Sequence, residues 1–205
     1  MTKILRIDAS TRATDSVSRK LGDAVQAQLL AKKPHASLHH RVLADAPIEH
    51  IQNITIQGFY TPAEQMTPAL QAATTLSDMV IAEVVAADIL IITTPMYNFS
   101  IPSSLKAWID QLVRIGKTFS YDGSNFQGLL TGKTVYVNVA YGAPGYLNDG
   151  PFAGADFVKP YLTFLFGFLG MTDVKFISAE ATTADTNTVA QNIEKANAAI
   201  KQILA

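Results

Sequence analysis

Cysteine is absent from the 205 residues. That excludes disulfides, thiolate-bound zinc, cysteine-held iron–sulfur clusters and a catalytic thiol. Charge is scarce: 16% of residues are charged, the formal net charge is -1 and the pI is about 6.4. This balance gives no electrostatic reason to expect nucleic acid or an anionic membrane as a partner. No stretch approaches about 18 consecutive apolar residues; the most apolar, residues 160–171, is interrupted by Gly167 and Gly170. Met1–Arg6 enters an apolar strand directly, without the three-part pattern of a secretory signal, so a cytoplasmic address is expected. Two phosphate-binding fingerprints, G-x-G-x-x-G and G-x-x-x-x-G-K-[ST], are also missing.

What is present is apolar and alternating. Hydrophobic residues make up 48% of the chain, and strand patterns alternate with helix patterns, as in a parallel sheet covered on both faces. Ile4–Asp8 reads as a first strand. Val17, Leu21, Val25 and Leu29 then recur at helical spacing, and Pro34 marks the end of that helix. Leu38–Leu43 is a mixed strand suited to a position near a sheet edge. A long connection follows from Ala44 to Thr67, with Pro47, Gly58 and Pro62. Connections of this length are often functional or interface-forming.

Pro68 starts a second helix carried by Leu70, Ala73, Val80, Ile81 and Val84. Asp88–Thr94 is a near-continuous apolar run, as in a central strand buried on both faces. Pro102 opens a third helix with Leu105, Trp108, Ile109 and Leu112 on one face. Thr134–Val139 alternates as a fourth strand. A fourth helix falls in Phe152–Leu169, kinked or split by Pro160. Val174–Ser178 is a fifth strand, and a last helix uses Val189, Ile193, Ala196, Ile200 and Ile203. Five strands and five helices in alternation predict one domain, residues 1–205. Its class is α/β: a doubly wound five-stranded parallel sheet of flavodoxin-like order 2-1-3-4-5, helices on both faces. Such sheets bind ligands outside the carboxyl ends of their strands, where the winding reverses. Here that places the crevice beside strands one and three.

Three loops fall there. After the first strand, Ala9 to Ser18 is dense in hydroxyls and ends at a helix N-terminus. Such a tip presents free N–H groups and roughly half a positive charge, so it holds a phosphate monoester well. Ser10, Ser16 and Ser18 can add hydroxyl donors, and a Ser/Thr-rich loop in place of the usual fingerprints points towards a flavin mononucleotide phosphate. Simple capping by Asp15 or Ser16 is the alternative. After the third strand, Thr94-Pro95-Met96-Tyr97-Asn98-Phe99-Ser100-Ile101-Pro102 holds two aromatics, a Met and an Asn between prolines that restrict the backbone. Met and aromatic side chains suit the edge or face of a flat heteroaromatic ring; an ordinary turn whose aromatics fill the core is the alternative. After the fourth strand, Ala140 to Gly145 contains Gly142, which permits close backbone approach.

Pro95-Met96-Tyr97-Asn98-Phe99, followed by a helix with Lys106, resembles the signature of the FMN-dependent NADH:quinone oxidoreductases, also called azoreductases. The resemblance runs along the whole chain. It includes Ser10 with Ser16 and Ser18, Gly128-Leu129-Leu130-Thr131-Gly132-Lys133, Asp149-Gly150-Pro151, Pro160-Tyr161-Leu162, Gly167-Phe168-Leu169-Gly170 and Thr172-Asp173-Val174-Lys175-Phe176. It implies a flavodoxin-like fold, bound FMN, and a homodimer with active sites at the subunit interface. Carried over, Ser10, Ser16, Val17 and Ser18 hold the phosphate and ribityl end. Pro95, Met96, Tyr97, Asn98 and Phe99 line the ring, and Ala140, Tyr141, Gly142 and Ala143 meet its pyrimidine edge. That last loop departs from the commoner Ser-Arg-Gly-Gly, a change that bears on acceptor range and on the choice between NADH and NADPH.

The implied reaction carries a hydride from NADH or NADPH through the flavin to quinones, or in two rounds to an azo bond, in ping-pong order. No general base is required for the hydride step, and no protein residue is assigned as catalytic. Tyr121 and Tyr141 are candidates for contacting the acceptor, Tyr121 from a segment (Lys117–Gln127) able to reach a neighbouring subunit's site. Phe164 and Phe168 could supply apolar walls, with core packing as the simpler alternative. His39 and His40, adjacent on a strand, point to opposite faces; with His35 and His50 they read as surface residues, and no metal is expected. Two other enzyme readings are a flavin reductase and a nitroaromatic reductase on the same fold. A flavodoxin-type electron carrier fits less well, because such carriers are strongly acidic. A flavin-free binding module on the same fold is the blandest alternative, since fold alone does not fix function.

Overall fold

The computed structural model describes residues 1–205. Its main sheet has five parallel strands in the order β2-β1-β3-β6-β7, formed by β1 (Lys3–Asp8), β2 (Ser37–Val42), β3 (Ile89–Pro95), β6 (Thr134–Ala140) and β7 (Asp173–Ala179). This is the expected 2-1-3-4-5 winding once a small antiparallel hairpin, β4 (Phe119–Tyr121) and β5 (Phe126–Gly128), is set aside. The helices are α1 (Val17–Lys32), α2 (Asn53–Tyr60), α3 (Pro68–Ala86), α4 (Ser103–Leu112), α5 (Lys159–Phe168) and α6 (Thr186–Ile203).

Strand alternation builds two cores. Leu5, Ile7, Leu90, Ile92, Val135 and Val137 are buried with Val80, Val84, Leu105, Trp108, Leu162 and Phe166 of α3, α4 and α5. Ile4, Ile89, Ile91 and Tyr136 face the other way and pack with Leu21, Val25 and Leu29 of α1 and Ile200 of α6. The Asp88–Thr94 run is apolar because both faces of β3 are covered. On the second face α1 lies very close to the sheet. A Cβ added at Gly22 would stand 2.4 Å from the Thr93 Cγ2, so glycine sets how near the helix, and therefore its N-terminal tip, approaches β3.

Two expectations are corrected, and one element, a hairpin, was not anticipated. The connection from Ala44 to Thr67 is partly ordered as α2, whose Gly58 lies against Thr74 of α3 with room for no Cβ; close packing, not strong local periodicity, defines it. Lys117–Gln127 folds into the β4–β5 hairpin, whose strands are three residues each and too short to show a period. The fourth helix does not run through Phe152. It begins at Lys159, with Pro160 in its first turn, where the missing N–H has no intrahelical partner to lose. Helix α3 has 19 residues and a mean hydropathy of 1.3, long and apolar enough to cross a bilayer by composition. Here its Val80, Ile81 and Val84 are buried in the domain, and its Ser77 hydroxyl donates to the Gln111 carbonyl of α4. The four histidines are all exposed, as expected.

Candidate active site

The carboxyl ends of β1, β3, β6 and β7 converge on one cleft of about 220 Å³, lined by Ser10, Arg12, Ser16, Val17, Ser18, Pro95, Met96, Tyr97, Ala140, Gly142, Thr182 and Thr183. Ser16 caps α1: its backbone is extended and its hydroxyl accepts from the Arg19 amide at 3.4 Å. The capping reading and the phosphate reading therefore describe the same residue. Ser10, Ser16 and Ser18 are buried. The Ser16 and Ser18 hydroxyls lie 3.2 Å from each other, and Ser10 Oγ accepts from the Arg12 amide at 3.2 Å. Hydroxyl donors thus gather at a helix tip whose first amides have no intrahelical acceptor.

The segment after β3 is a tight hairpin. Tyr97 and Ser100 exchange backbone hydrogen bonds at 2.9 and 3.0 Å, and the two residues between them, Asn98 and Phe99, have φ of +48° and +69°. Two consecutive positive φ values mark a type I′ turn, a position glycine usually fills. Asn tolerates that region; Phe does so at a cost, and such cost concentrates at functional sites. The turn presents Tyr97 to the first cleft and to a second of about 550 Å³, lined by Tyr97, Asn98, Ser100, Ile101, Pro102, Ser103, Lys106 and Tyr161. Phe99 is 53% exposed, and its carbonyl accepts from the Phe157 amide at 3.1 Å.

The loop after β6 is clamped from β7. The Tyr141 carbonyl accepts from the Thr182 amide and hydroxyl, and the Gly142 carbonyl from the Thr183 amide and hydroxyl. Thr182 and Thr183 line the cleft without having been anticipated. The signal was available, since they follow the fifth strand at the same sheet edge as the other loops. Arg12 was also missed as a lining residue.

Tyr141 itself is a correction. Its side chain is fully buried, stacked on Tyr146 with ring centres 5.3 Å apart, and its hydroxyl donates to Asp156 Oδ2 at 3.0 Å. Burial, then the charge of Asp156, pushes this hydroxyl well above its ordinary value. The side chain therefore cannot contact an acceptor, and Tyr141 lines neither cleft, although its neighbours Ala140 and Gly142 line the first. Phe164 is corrected in the other direction: it is 73% exposed rather than core. It joins Phe168, Phe119, Phe126 and Tyr121 in an aromatic cluster where the β4–β5 hairpin meets α5.

Beneath the serine loop lies a buried charge cluster. Asp8 accepts from Arg6, Thr93 and His40. Burial works to raise its carboxyl, but the hydrogen bonds and charge of Arg6 outweigh that and hold it below the ordinary carboxylate range.

Comparison with known proteins agrees with this geometry. A model of the flavodoxin-like fold family matches residues 2–204. An FMN-dependent NADH:quinone oxidoreductase of Xanthobacter autotrophicus is 53% identical over 175 residues, spanning 85% of this chain and 84% of that protein. One from Herminiimonas arsenicoxydans is 42% identical over 204 residues, 100% of this chain and 99% of its own. The chain belongs to the flavodoxin-like family of FMN-dependent NADH:quinone oxidoreductases. The fold of this oxidoreductase family is also that of a crystal structure of azoreductase from Bacillus anthracis, with a TM-score of 0.90, 24% identity and coverage of 100% and 99% of the two chains.

As a member of the family, the chain can be tested for whether its own residues fit FMN. The buried hydroxyls of Ser10, Ser16 and Ser18 meet at the tip of α1, as a phosphate monoester requires. The Met96–Tyr97 wall and the backbone of Ala140 and Gly142 face them in the same cleft. The residues fit the group.

Proposed function

We propose that this chain is an FMN-dependent oxidoreductase that carries a hydride from NADH to quinones and reductively cleaves aromatic azo compounds. The observation that carries the reading is the meeting of the serine-rich tip of α1 and the Pro95–Tyr97 segment in one cleft. Relatives named FMN-dependent NADH:quinone oxidoreductase support it, as does an azoreductase-like fold. Ser10, Ser16 and Ser18, with the amides of Val17 and Ser18, would hold the phosphate. Pro95, Met96 and Tyr97 would wall the ring, and the clamped backbone at Ala140 and Gly142 would border its polar edge. Bound there, FMN supplies two-electron hydride chemistry between the nicotinamide and the acceptor.

The protein's own part is positional. Tyr97 borders both clefts, so donor and acceptor reach one opening in turn, a ping-pong order. Neither cleft is lined by a carboxylate or a histidine, and water could supply the proton to the acceptor. The exposed aromatic cluster around Tyr121, Phe126 and Phe164 supports a homodimer, with the hairpin lying over the partner's site. A cytoplasmic address goes with a consumer of reduced nicotinamide.

The test is direct. The purified protein should be yellow and release FMN on denaturation. Under anaerobic conditions NADH should bleach it, and menadione or methyl red should restore the colour with steady turnover. A colourless protein that takes up no FMN overturns the reading; bleaching without turnover on either acceptor favours an electron carrier.

A further inference from the structure

Arg19 lies in the first turns of α1, directly behind the serine loop. Its Nη2 donates to the Ser10 carbonyl at 2.7 Å, while its amide donates to the capping hydroxyl of Ser16. One residue thus fastens two of the serines that line the cleft. Its Nε is buried without a hydrogen-bond partner, and the nearest carboxylate oxygen, Asp8 Oδ2, is 4.0 Å away. Asp8 is already engaged. Oδ1 accepts from Arg6 Nε at 2.9 Å and Thr93 at 2.8 Å, and Oδ2 from Arg6 Nη2 at 3.1 Å and His40 at 2.9 Å. Asp23 pairs with the far arm of Arg6 and is 65% exposed.

Arg6 thus takes the direct guanidinium contacts of Asp8 and also pairs with Asp23, while Arg19 reaches Asp8 only at 4.0 Å and is the less completely paired of the two guanidiniums. The Arg19 side chain is 16% exposed but its Nε is shut off from water without a partner, so an anion nearby would be favoured. Its Nη2 holds Ser10, and Ser10 lines the cleft. Arg12, the cation that lines the cleft itself, is exposed and is worth less in high dielectric.

We propose that Arg19 is the positioning residue for the cofactor phosphate. It holds the Ser10 carbonyl back, so that the hydroxyl and amides of the loop face the cleft, and its charge offsets the phosphate through the serine layer. This deepens the assignment of the cleft to FMN and rests on it. The consequence is selectivity: Arg19 favours FMN over riboflavin, which has the same ring and ribityl chain without the phosphate.

The experiment measures dissociation constants of apoprotein for FMN and for riboflavin by flavin-fluorescence quenching, in the wild type, Arg19→Gln and Arg19→Lys. Arg19→Gln should weaken FMN binding on the order of tenfold or more, the scale of a charge-assisted interaction, and leave riboflavin unchanged. Arg19→Lys keeps a point charge but loses the planar fork on Ser10, and should narrow the selectivity by roughly threefold. A fall in both affinities by the same factor makes Arg19 merely structural and overturns the proposal, as does wild-type FMN binding in Arg19→Gln. If Arg19→Gln does not fold, Arg19→Lys decides: a wild-type FMN-to-riboflavin ratio there overturns the hold on Ser10. A wild type that binds both flavins equally overturns the phosphate assignment of the cleft itself, and the role of Arg19 falls with it.

Discussion

The hydroxyls of Thr11 and Tyr97 lie 3.0 Å apart, joining the loop after β1 to the loop after β3 across 86 positions of sequence. The two segments proposed to hold the two ends of the mononucleotide are thus bonded to each other through Tyr97, which lines the cleft. Either hydroxyl can donate, and the pair is exposed, so the bond is worth about 0.5–1.5 kcal/mol net.

If this clasp confines the cofactor, removing either hydroxyl should speed FMN release without disturbing the walls. Thr11→Val and Tyr97→Phe each keep the side-chain shape and lose the bond. Release into excess apoflavodoxin should accelerate roughly threefold in both, and the double variant should be no faster than either single one, because both remove the same bond. Additive effects would show two independent roles.

The turn at Asn98 and Phe99 makes a second prediction. With φ at +48°, Asn98 occupies a region that a β-branched residue enters at a cost of about 1–2 kcal/mol. Asn98→Gly and Asn98→Val both delete the amide side chain, so their difference isolates the backbone. Urea unfolding of the apoprotein should place Asn98→Val below Asn98→Gly by about that amount. Equal midpoints would show that the turn relaxes out of its positive-φ conformation. FMN binding should weaken more in Asn98→Val, since the turn sets where Tyr97 stands.

Winding, strand order and the three cleft-forming loops were legible because each depends on local pattern. Both-face burial makes the β3 run apolar, prolines fix the starts of α3 and α4, and an α/β sheet of this order has one ligand-binding edge. What escaped the sequence depends on long-range contact. Thr182 and Thr183 reach the cleft through bonds to Tyr141 and Gly142 some 41 positions away. Tyr141 turned inward because Asp156 waits there for its hydroxyl, a pairing no spacing announces. Arg6 and Asp8 sit on a strand that reads as plain alternation, yet their burial under α1 makes them partners. Phe164 looks like core by type; only the packed helix shows that it faces out.

The Tyr141–Asp156 bond carries a pH prediction. Asp156 also accepts from the Val158 and Lys159 amides through Oδ1, so the pair ties the loop after β6 to the start of α5. Tyr141→Phe leaves the buried Oδ2 without its donor and should cost about 1–3 kcal/mol near neutral pH. Because the folded hydroxyl titrates above its unfolded value of about 10, its contribution is complete below that pH. It is lost as pH rises from there towards the folded value. Urea midpoints of wild type and Tyr141→Phe should therefore differ at pH 7 and converge above about pH 10. Tyr136 and Tyr161, also raised chiefly by burial, keep some alkaline slope in the variant. Parallel curves would assign the alkaline loss to those two tyrosines instead.

The aromatic cluster decides the quaternary prediction. Tyr121 stacks on Phe126 with centres 4.6 Å apart, and both contact the Phe168 side of α5 through Phe126 at 5.6 Å. Tyr121, Phe126 and Phe164 are 47%, 61% and 73% exposed, an arrangement of large rings that water solvates poorly. Burying each against a partner would gain about 1.5–3 kcal/mol, whereas a carboxylate placed there would have to be desolvated. Phe164→Asp and Phe126→Asp should therefore shift sedimentation equilibrium from dimer to monomer at micromolar concentration. The cleft proposed for FMN is lined within a single chain, so the monomeric variants should still bind FMN. Quinone turnover should fall more than FMN binding does, because the hairpin would no longer cover a partner's opening. Retained dimers with wild-type turnover would move the interface elsewhere on the molecule, and a variant that loses FMN on dissociating would mean that the partner completes the cofactor site itself.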